Sequence, residues 1–372
     1  MNKQVAYPAL AGFSETGIKQ AYAVLEQAVD RGDLMGAALQ VSRGGNTLPV
    51  ACFGRRDLEV GGLAVTPDTI FLIASITKPI VCASVMQLLE QGLLCLDDHV
   101  VDVIPEFGNR KKEAVRIRHL LTHTSGLPDM IPENQLFRQQ HQPLSAFIAR
   151  MCDLDLLFKP GTRISYQSCG IAILGEIVAR LAEKPVREVL TKTLFDPLGL
   201  NDSSLGRQDV LKDRISQVKM PSSSDAGSGG TDWDWNSDYW HHFGAPWGGM
   251  FTTASDLTVL CQAFLFGGQW NGTRILNRKT VASIVTDHTS KMPDLPASEK
   301  LRQRWGLGWR LQDGSIYGDF TSGATFGHGG ATGTVAWIDP ETEVTFVLLT
   351  NDPDAARLLR PRVSNAVASA VV

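Results

Sequence analysis

No run of about 18 apolar residues occurs in the 372-residue chain, so no membrane-crossing helix is expected. Charge of one sign is not concentrated either. Lysines and arginines number 35 against 39 acids, the net charge is -4, and no basic cluster breaks the even spread, which removes the electrostatic footprint of a nucleic-acid binder. The six cysteines (Cys52, Cys82, Cys95, Cys152, Cys169, Cys261) never form a C-x-x-C pair and sit mostly in apolar surroundings such as "IVCASV" and "VLCQAF". They read as free core thiols of a reducing compartment. Gly-x-Ser-x-Gly is missing, which excludes the nucleophile elbow of an α/β-hydrolase. The glycine-rich "GHGGAT" has Thr332 where a dinucleotide fingerprint needs its last glycine. His119 and His123 are four apart, but "LLT" between them lacks the glutamate of H-E-x-x-H, so no zinc, and no cofactor of any kind, is expected. After Lys3 the stretch "VAYPALAGF" is short and broken by Pro8, a poor export signal, and a cytoplasmic location is expected.

The chain is long enough for two subdomains sharing a large core. Ile18, Tyr22, Leu25 and Val29 recur at helical spacing before Gly32, predicting a terminal helix over 15–31. "GAALQVSRGGNTLPVACFG" (36–54) places two β-leaning runs around glycines that permit a tight turn, and "GTVAWID", "PETE" and "VTFVLLTN" predict a second hairpin near the C-terminus. The tail "DAARLLRPRVSNAVASAVV" looks helical apart from Pro361. Between these ends, 75–91, 144–152, 169–183, 186–194 and 255–266 are helix candidates. Strands early and late with helices between predict a mixed α/β (α+β) fold: an antiparallel sheet flanked by N- and C-terminal helices, with a large helical insertion. Residues 1–74 plus 300–372 form the expected sheet subdomain and 75–299 the helical one, with the active site in the cleft between them. Residues 220–250 are Ser/Gly-rich and then crowd Trp233, Trp235, Tyr239, Trp240 and Trp247 into fifteen positions. Such a segment is either a loop pinned by aromatic anchors or an aromatic wall or lid over a cleft.

Three stretches carry chemistry. In "IASITKPIVCASVMQLLEQG" (73–92), Ser75 and Lys78 share a face at the mouth of a helix apolar nearly all round. At the edge of such a core an ammonium group loses hydration, so Lys78 can become a neutral base for the Ser75 proton. The free N–H groups of the helix start, that of Ser75 included, face a developing oxyanion. About one or two Ser-x-x-Lys matches arise by chance in a chain of this composition, and Ser216–Lys219 is a second one, but it runs into the loop "MPSSS". In "FKPGTRISYQSCGIAILGEIVARL" (158–181), Tyr166 and Ser168 approach a helix start. The phenol can relay protons, its pKa lowered by a nearby lysine, or Tyr166 is a packed aromatic and Ser168 a cap. In "FGHGGATGTVAW" (326–337), glycines around His328 let a ligand approach a strand edge, or they form a plain turn into a hairpin.

Together these stretches, with "HLLTHTSGLPD", "FDPLGL" and "GGMFTTASDL", resemble the serine β-lactamase and penicillin-binding-protein superfamily over about residues 15 to 350, specifically its class C β-lactamase-like branch, which includes family VIII carboxylesterases and D-amino-acid peptidases. The resemblance implies Ser75 as nucleophile, Lys78 and Tyr166 sharing acid and base work, and an oxyanion hole from the N–H groups of Ser75 and Ala331. Ser168, His328, Gly329, Gly330 and Trp247 are the expected substrate contacts. Two residues depart from the family pattern. Ser168 stands where an asparagine is usual, and His328 where β-lactamases carry a lysine that holds a substrate carboxylate. A histidine is largely neutral near pH 7, so weaker selection for anionic β-lactams is expected. The expected activity is acyl transfer through an acyl-enzyme on a small-molecule ester, amide or β-lactam, with esters ranked first and β-lactamase or D-peptidase activity as the alternative. A fold retained only for binding would have lost Ser75, Lys78 or Tyr166.

Overall fold

The computed structural model describes residues 3–221, 229–312 and 316–372. Among these, eight strands from the two ends of the chain form one sheet. The first part supplies β1 (Lys3–Gln4), β2 (Gly36–Arg43), β3 (Asn46–Thr47) and β4 (Ala51–Gly54); the last supplies β5 (Arg310–Leu311), β6 (Phe326–Gly329), β7 (Val335–Asp339) and β8 (Val344–Thr350). Their order is β1-β3-β2-β8-β7-β6-β5, with β4 also bonded to β2, and the pairings are antiparallel except for β1 with β3. The expected fold class is therefore present. The first hairpin turns at Gly44 and Gly45, both at positive φ (55° and 85°), which a residue with a Cβ adopts only at a cost. Its second run is not one strand. Pro49 cannot donate to the ladder, and the run splits into β3 and β4, both paired to β2.

At the centre, β2 and β8 pair from Ala37↔Thr350 to Arg43↔Val344. Both are buried along almost their whole length because helices cover both faces of the sheet. Side chains alternate accordingly. Leu39, Val41, Trp337, Phe346 and Leu348 enter the core shared with helices α1 (Glu15–Asp30) and α6 (Ala356–Ala368). Ala38, Ala336, Ile338, Val347 and Leu349 enter the larger core on the opposite face, where α5 (Ala254–Leu265) lies. Helix α6 passes through Pro361 instead of breaking there. The carbonyl this leaves without a helical donor belongs to Arg357, which is exposed and open to water.

The intervening chain forms α2 (Thr77–Glu90), α3 (Leu144–Cys152) and α4 (Cys169–Ala182), with α2 packed against α4. As its apolar circumference implies, α2 runs through the core, with every residue from Thr77 to Met86 buried. The helical stretch expected over 186–194 continues to Leu198 and stops at Gly199, whose φ of 71° reverses the chain. All six cysteines are free. Cys82, Cys152, Cys169 and Cys261 are buried, whereas Cys95 is exposed, outside the core expected for it. Among the described residues no helix is long and apolar enough to cross a membrane.

Candidate active site

Ser75 lies in a 3₁₀ turn, Ala74–Ile76, between the short strand Phe71–Leu72 and α2. Ala74 has a φ of 46°, a left-handed conformation that costs a residue with a Cβ about 1–3 kcal/mol. It turns the chain from strand to helix and leaves Ser75 half-buried while its neighbours are fully buried. As the first turn of a helical segment, this stretch offers the Ser75 N–H no partner within the turn.

Lys78 is 1% exposed, and its Nζ lies 2.9 Å from Ser75 Oγ and 2.9 Å from the Trp247 carbonyl oxygen. Burial lowers its pKa from 10.5 to about 7; the Asp129 carboxylate pulls the other way without offsetting it. The same amine sits 4.6 Å from the centre of the Tyr166 ring. Burial pushes the Tyr166 phenol above its usual 10.0, and a hydrogen bond with Ser75 opposes this only in part. The expected lowering of the phenol by the lysine is thus reversed, because one apolar environment disfavours the charged form of each group. Ser168 is buried at the start of α4, but its side chain does not cap the helix. Asp129 does so instead, its carboxylate accepting from the Ser168 N–H at 2.7 Å and its carbonyl from the Cys169 N–H at 2.9 Å.

The third motif ends β6. Strand β5 pairs only with Phe326 and Gly327, so His328 to Gly330 lie beyond it on that side. A Cβ on Gly330 would stand 2.1 Å from the Ile73 carbonyl oxygen and 2.3 Å from Thr334 Oγ1, so only glycine lets this turn meet the segment leading to Ser75. Thr332 and Thr334 donate from their hydroxyls to the Leu72 and Ile73 carbonyls at 2.6 and 3.1 Å, tying the two motifs together. Ala331, between Gly330 and Thr332, is exposed, and its N–H has no acceptor among the described residues. Gly329 is half-buried, and its carbonyl accepts from His328 Nδ1 at 2.7 Å, which leaves Nε2 as an unprotonated acceptor, buried and without a partner among the described residues. Burial, then the Lys78 charge, lowers the His328 pKa to about 3, so the imidazole is neutral.

Trp247 is 7% exposed, its ring packed on Phe243 and Phe147 at 5.7 and 6.2 Å. It reaches the centre through its carbonyl on Lys78. Of the aromatic-rich segment, 222–228 lie outside the described residues. Trp233 and Trp240 face inward, sandwiching Arg138 with ring-to-guanidinium distances of 5.6 and 4.3 Å, as anchors would. A groove of about 1030 Å³ beside this segment, lined by Tyr239, His242 and Phe243 among others, is not lined by Ser75, Lys78 or Tyr166.

The two histidines four apart do not share a helix. His119 lies in the helix Ile117–Leu121 and accepts from the Arg116 N–H at 3.1 Å, whereas His123 lies beyond the helix end at a φ of 58°. Four contributors have no role assigned to them from the sequence, although His123 and Asp129 lie within "HLLTHTSGLPD". Trp305 packs at a tilt beside Tyr166 and His328, Arg360 donates to the Gly333 and Gly330 carbonyls, and Asp129 and His123 hold the start of α4 and the Tyr166 segment. Only an unusual position in the fold reveals them.

A family model described as Beta-lactamase matches residues 22–368. The chain is 32% identical over 301 residues to penicillin-binding protein 4 of Amycolatopsis lactamdurans, covering 78% of this chain and 74% of that protein. Among solved structures it is similar to EstCE1, described as a hydrolase with promiscuous acyltransferase activity (TM-score 0.77, 22% identity, 95% of this chain and 99% of that one). It is also similar to a family VIII carboxylesterase (TM-score 0.76, 21% identity, 95% and 97%).

Proposed function

The chain belongs to the Beta-lactamase family of hydrolases, and from that premise we propose that it is a serine esterase working through an acyl-enzyme on Ser75. The observation that carries this reading is the amine at 2.9 Å from Ser75 Oγ, buried and brought to about 7. In its neutral form one N–H of Lys78 donates to the Trp247 carbonyl while the lone pair faces the serine proton. Ser75 Oγ attacks the ester carbonyl carbon and its proton passes to Lys78 Nζ. The carbonyl oxygen becomes an oxyanion facing the N–H groups of Ser75 and Ala331. Collapse breaks the bond to the leaving alcohol, whose oxygen takes the Tyr166 proton; the Lys78 ammonium restores it to the phenol. A phenol raised by burial stays protonated at rest, which suits an acid facing a strongly basic alkoxide. Water then attacks the acyl carbon, losing its proton to the neutral Lys78–Tyr166 pair, and the carboxylic acid leaves as Ser75 recovers its proton.

The neutral His328 supports the ranking of esters first, since its Nε2 offers an acceptor and no charge. Structural relatives described as a carboxylesterase and as an acyltransferring hydrolase support it as well. Intact-protein mass after a fluorophosphonate, with rates on short p-nitrophenyl esters, a chromogenic cephalosporin and D-alanyl peptides, tests the reading. Ser75→Ala should lose both adduct and turnover while melting as the parent does, and undiminished hydrolysis in that variant refutes the assignment.

One observation favours the alternative of a carboxylate-bearing substrate, a β-lactam or D-alanyl peptide. The Arg360 guanidinium bonds to carbonyls at the third motif and, among the described residues, forms no ion pair with a carboxylate, so a cation is present there despite the missing lysine. On that alternative, Arg360→Gln raises KM for D-alanyl peptides by about tenfold or more and leaves that for neutral esters within about twofold.

A further inference from the structure

His123 has no task in the steps above, and its place four residues after His119, read as a zinc pair, lacks the H-E-x-x-H glutamate. It is fully buried at a φ of 58°, a left-handed conformation that few residues other than glycine adopt and that asparagine, aspartate and histidine tolerate better than most. Its carbonyl accepts from the Ser165 N–H at 2.9 Å, and its Nδ1 accepts from the Gln167 N–H at 3.2 Å. The residues before and after Tyr166 are therefore both bonded to one histidine. Its ring lies against the phenol, with centres 4.8 Å apart, and Trp305 backs it edge-on at 4.2 Å. Because Nδ1 accepts, the imidazole is neutral with its proton on Nε2. Burial and the neighbouring Lys78 and His328 all oppose adding a second proton. The Gln167 side chain is held as well, accepting from Ser125 Oγ.

We propose that His123 is the positioning residue of Tyr166: it grips the backbone on both sides of the phenol and fixes the ring against Ser75 and Lys78, without touching substrate itself. The proposal rests on the acid–base reading of Tyr166 given above. What the clamp requires is a residue that tolerates positive φ and carries a short side-chain acceptor for the Gln167 N–H. Asparagine meets both conditions; leucine fills the space and meets neither.

The experiment measures kcat and KM on a short p-nitrophenyl ester, with thermal melting, for His123→Asn, His123→Leu, Tyr166→Phe and the double variant His123→Leu/Tyr166→Phe. A misplaced phenol should lower kcat of His123→Leu by about thirtyfold or more with KM within about threefold. His123→Asn should return kcat to within about threefold of the parent, and in the Tyr166→Phe background His123→Leu should add less than about threefold, because the two act as one unit. If His123→Leu does not melt cooperatively, His123→Gly, which adopts the same φ without penalty, takes its place. Equal damage from asparagine and leucine, or the full leucine effect in the absence of the phenol, overturns the proposal. A parental rate in Tyr166→Phe alone has a different signature: it removes the acid–base reading itself, and the proposal with it.

Discussion

The base strength of Lys78 can be read as a pH profile. With a pKa of about 7 in place of the ordinary 10.5, about half of the amine is neutral at pH 7 and about one-tenth at pH 6. An unperturbed lysine would be neutral in about one molecule in three thousand at pH 7. Since only the neutral amine accepts the Ser75 proton, kcat/KM for a short p-nitrophenyl ester should fall about tenfold per pH unit on the acid side and level off above neutrality, with the midpoint close to 7. Measuring acylation from pH 5 to 9, corrected for spontaneous hydrolysis, gives that midpoint directly. Two substitutions identify the group. Lys78→Arg places a guanidinium that does not deprotonate in this range and should remove the limb along with about a thousandfold or more of the rate. Asp129→Asn keeps an oxygen acceptor for the Ser168 N–H but deletes the charge that favours the Lys78 cation, so the midpoint should move to lower pH. An acid limb centred near pH 5 or above pH 9, or one that survives in Lys78→Arg, would refute the reasoning.

The other expectations concern backbone approach and stability. Gly330→Ala drives a methyl group into the Ile73 carbonyl and should cut kcat by about tenfold or more by shifting the Ala331 N–H, with parental activity as the contrary result. Lys78→Met should abolish turnover yet raise the melting temperature. The folded-state pKa is depressed, so the parent's stability rises with pH between about 7 and 10.5, and the variant's advantage should be largest at pH 7 and below and shrink toward pH 10. A variant that melts below the parent at pH 6 contradicts this.

Much of this architecture was legible because period and punctuation agree with burial. The all-round apolar stretch after Lys78 could only be a core helix, and the runs "GTVAWID" and "VTFVLLTN" had strand composition around a turn. Pro49 and Pro361 mark the limits. One split a strand and the other failed to break a helix, a difference set by whether the neighbouring ladder or open water serves the orphaned group. Within the candidate site, the serine, lysine and tyrosine were singled out by the resemblance that their motifs carry in order along the chain, since the Ser-x-x-Lys spacing alone also occurs at Ser216. The sign of the Tyr166 shift was not legible, because it depends on how completely the phenol is enclosed, and no local pattern encodes that. His123 was hidden for a related reason. Its value lies in a positive φ and in bonds to residues some forty positions away, whereas its sequence neighbours assign it no role once a metal pair with His119 is set aside.

The same long-range bonds explain why the Ser-x-x-Lys pattern is common in sequence and uncommon as chemistry. Ser216 and Lys219 have the spacing, but Ser216 Oγ donates to the Arg56 carbonyl and Lys219 pairs with Asp352, so neither is left for reaction. Ser75 differs in the backbone that carries it. Its incoming strand pairs with Phe251 and Thr252 on one side, where the Ile73 N–H also donates to the Met250 carbonyl, and the Thr332 and Thr334 hydroxyls grip the Leu72 and Ile73 carbonyls from the other. The nucleophile's turn, the wall that dehydrates its lysine and the strand end bearing Ala331 thus share a single set of hydrogen bonds drawn from three distant parts of the chain. Loosening the hairpin β6–β7 would displace Ala331 and release Ile73 together, so local opening there should silence the enzyme well before α2, with its fully buried circumference, begins to unfold.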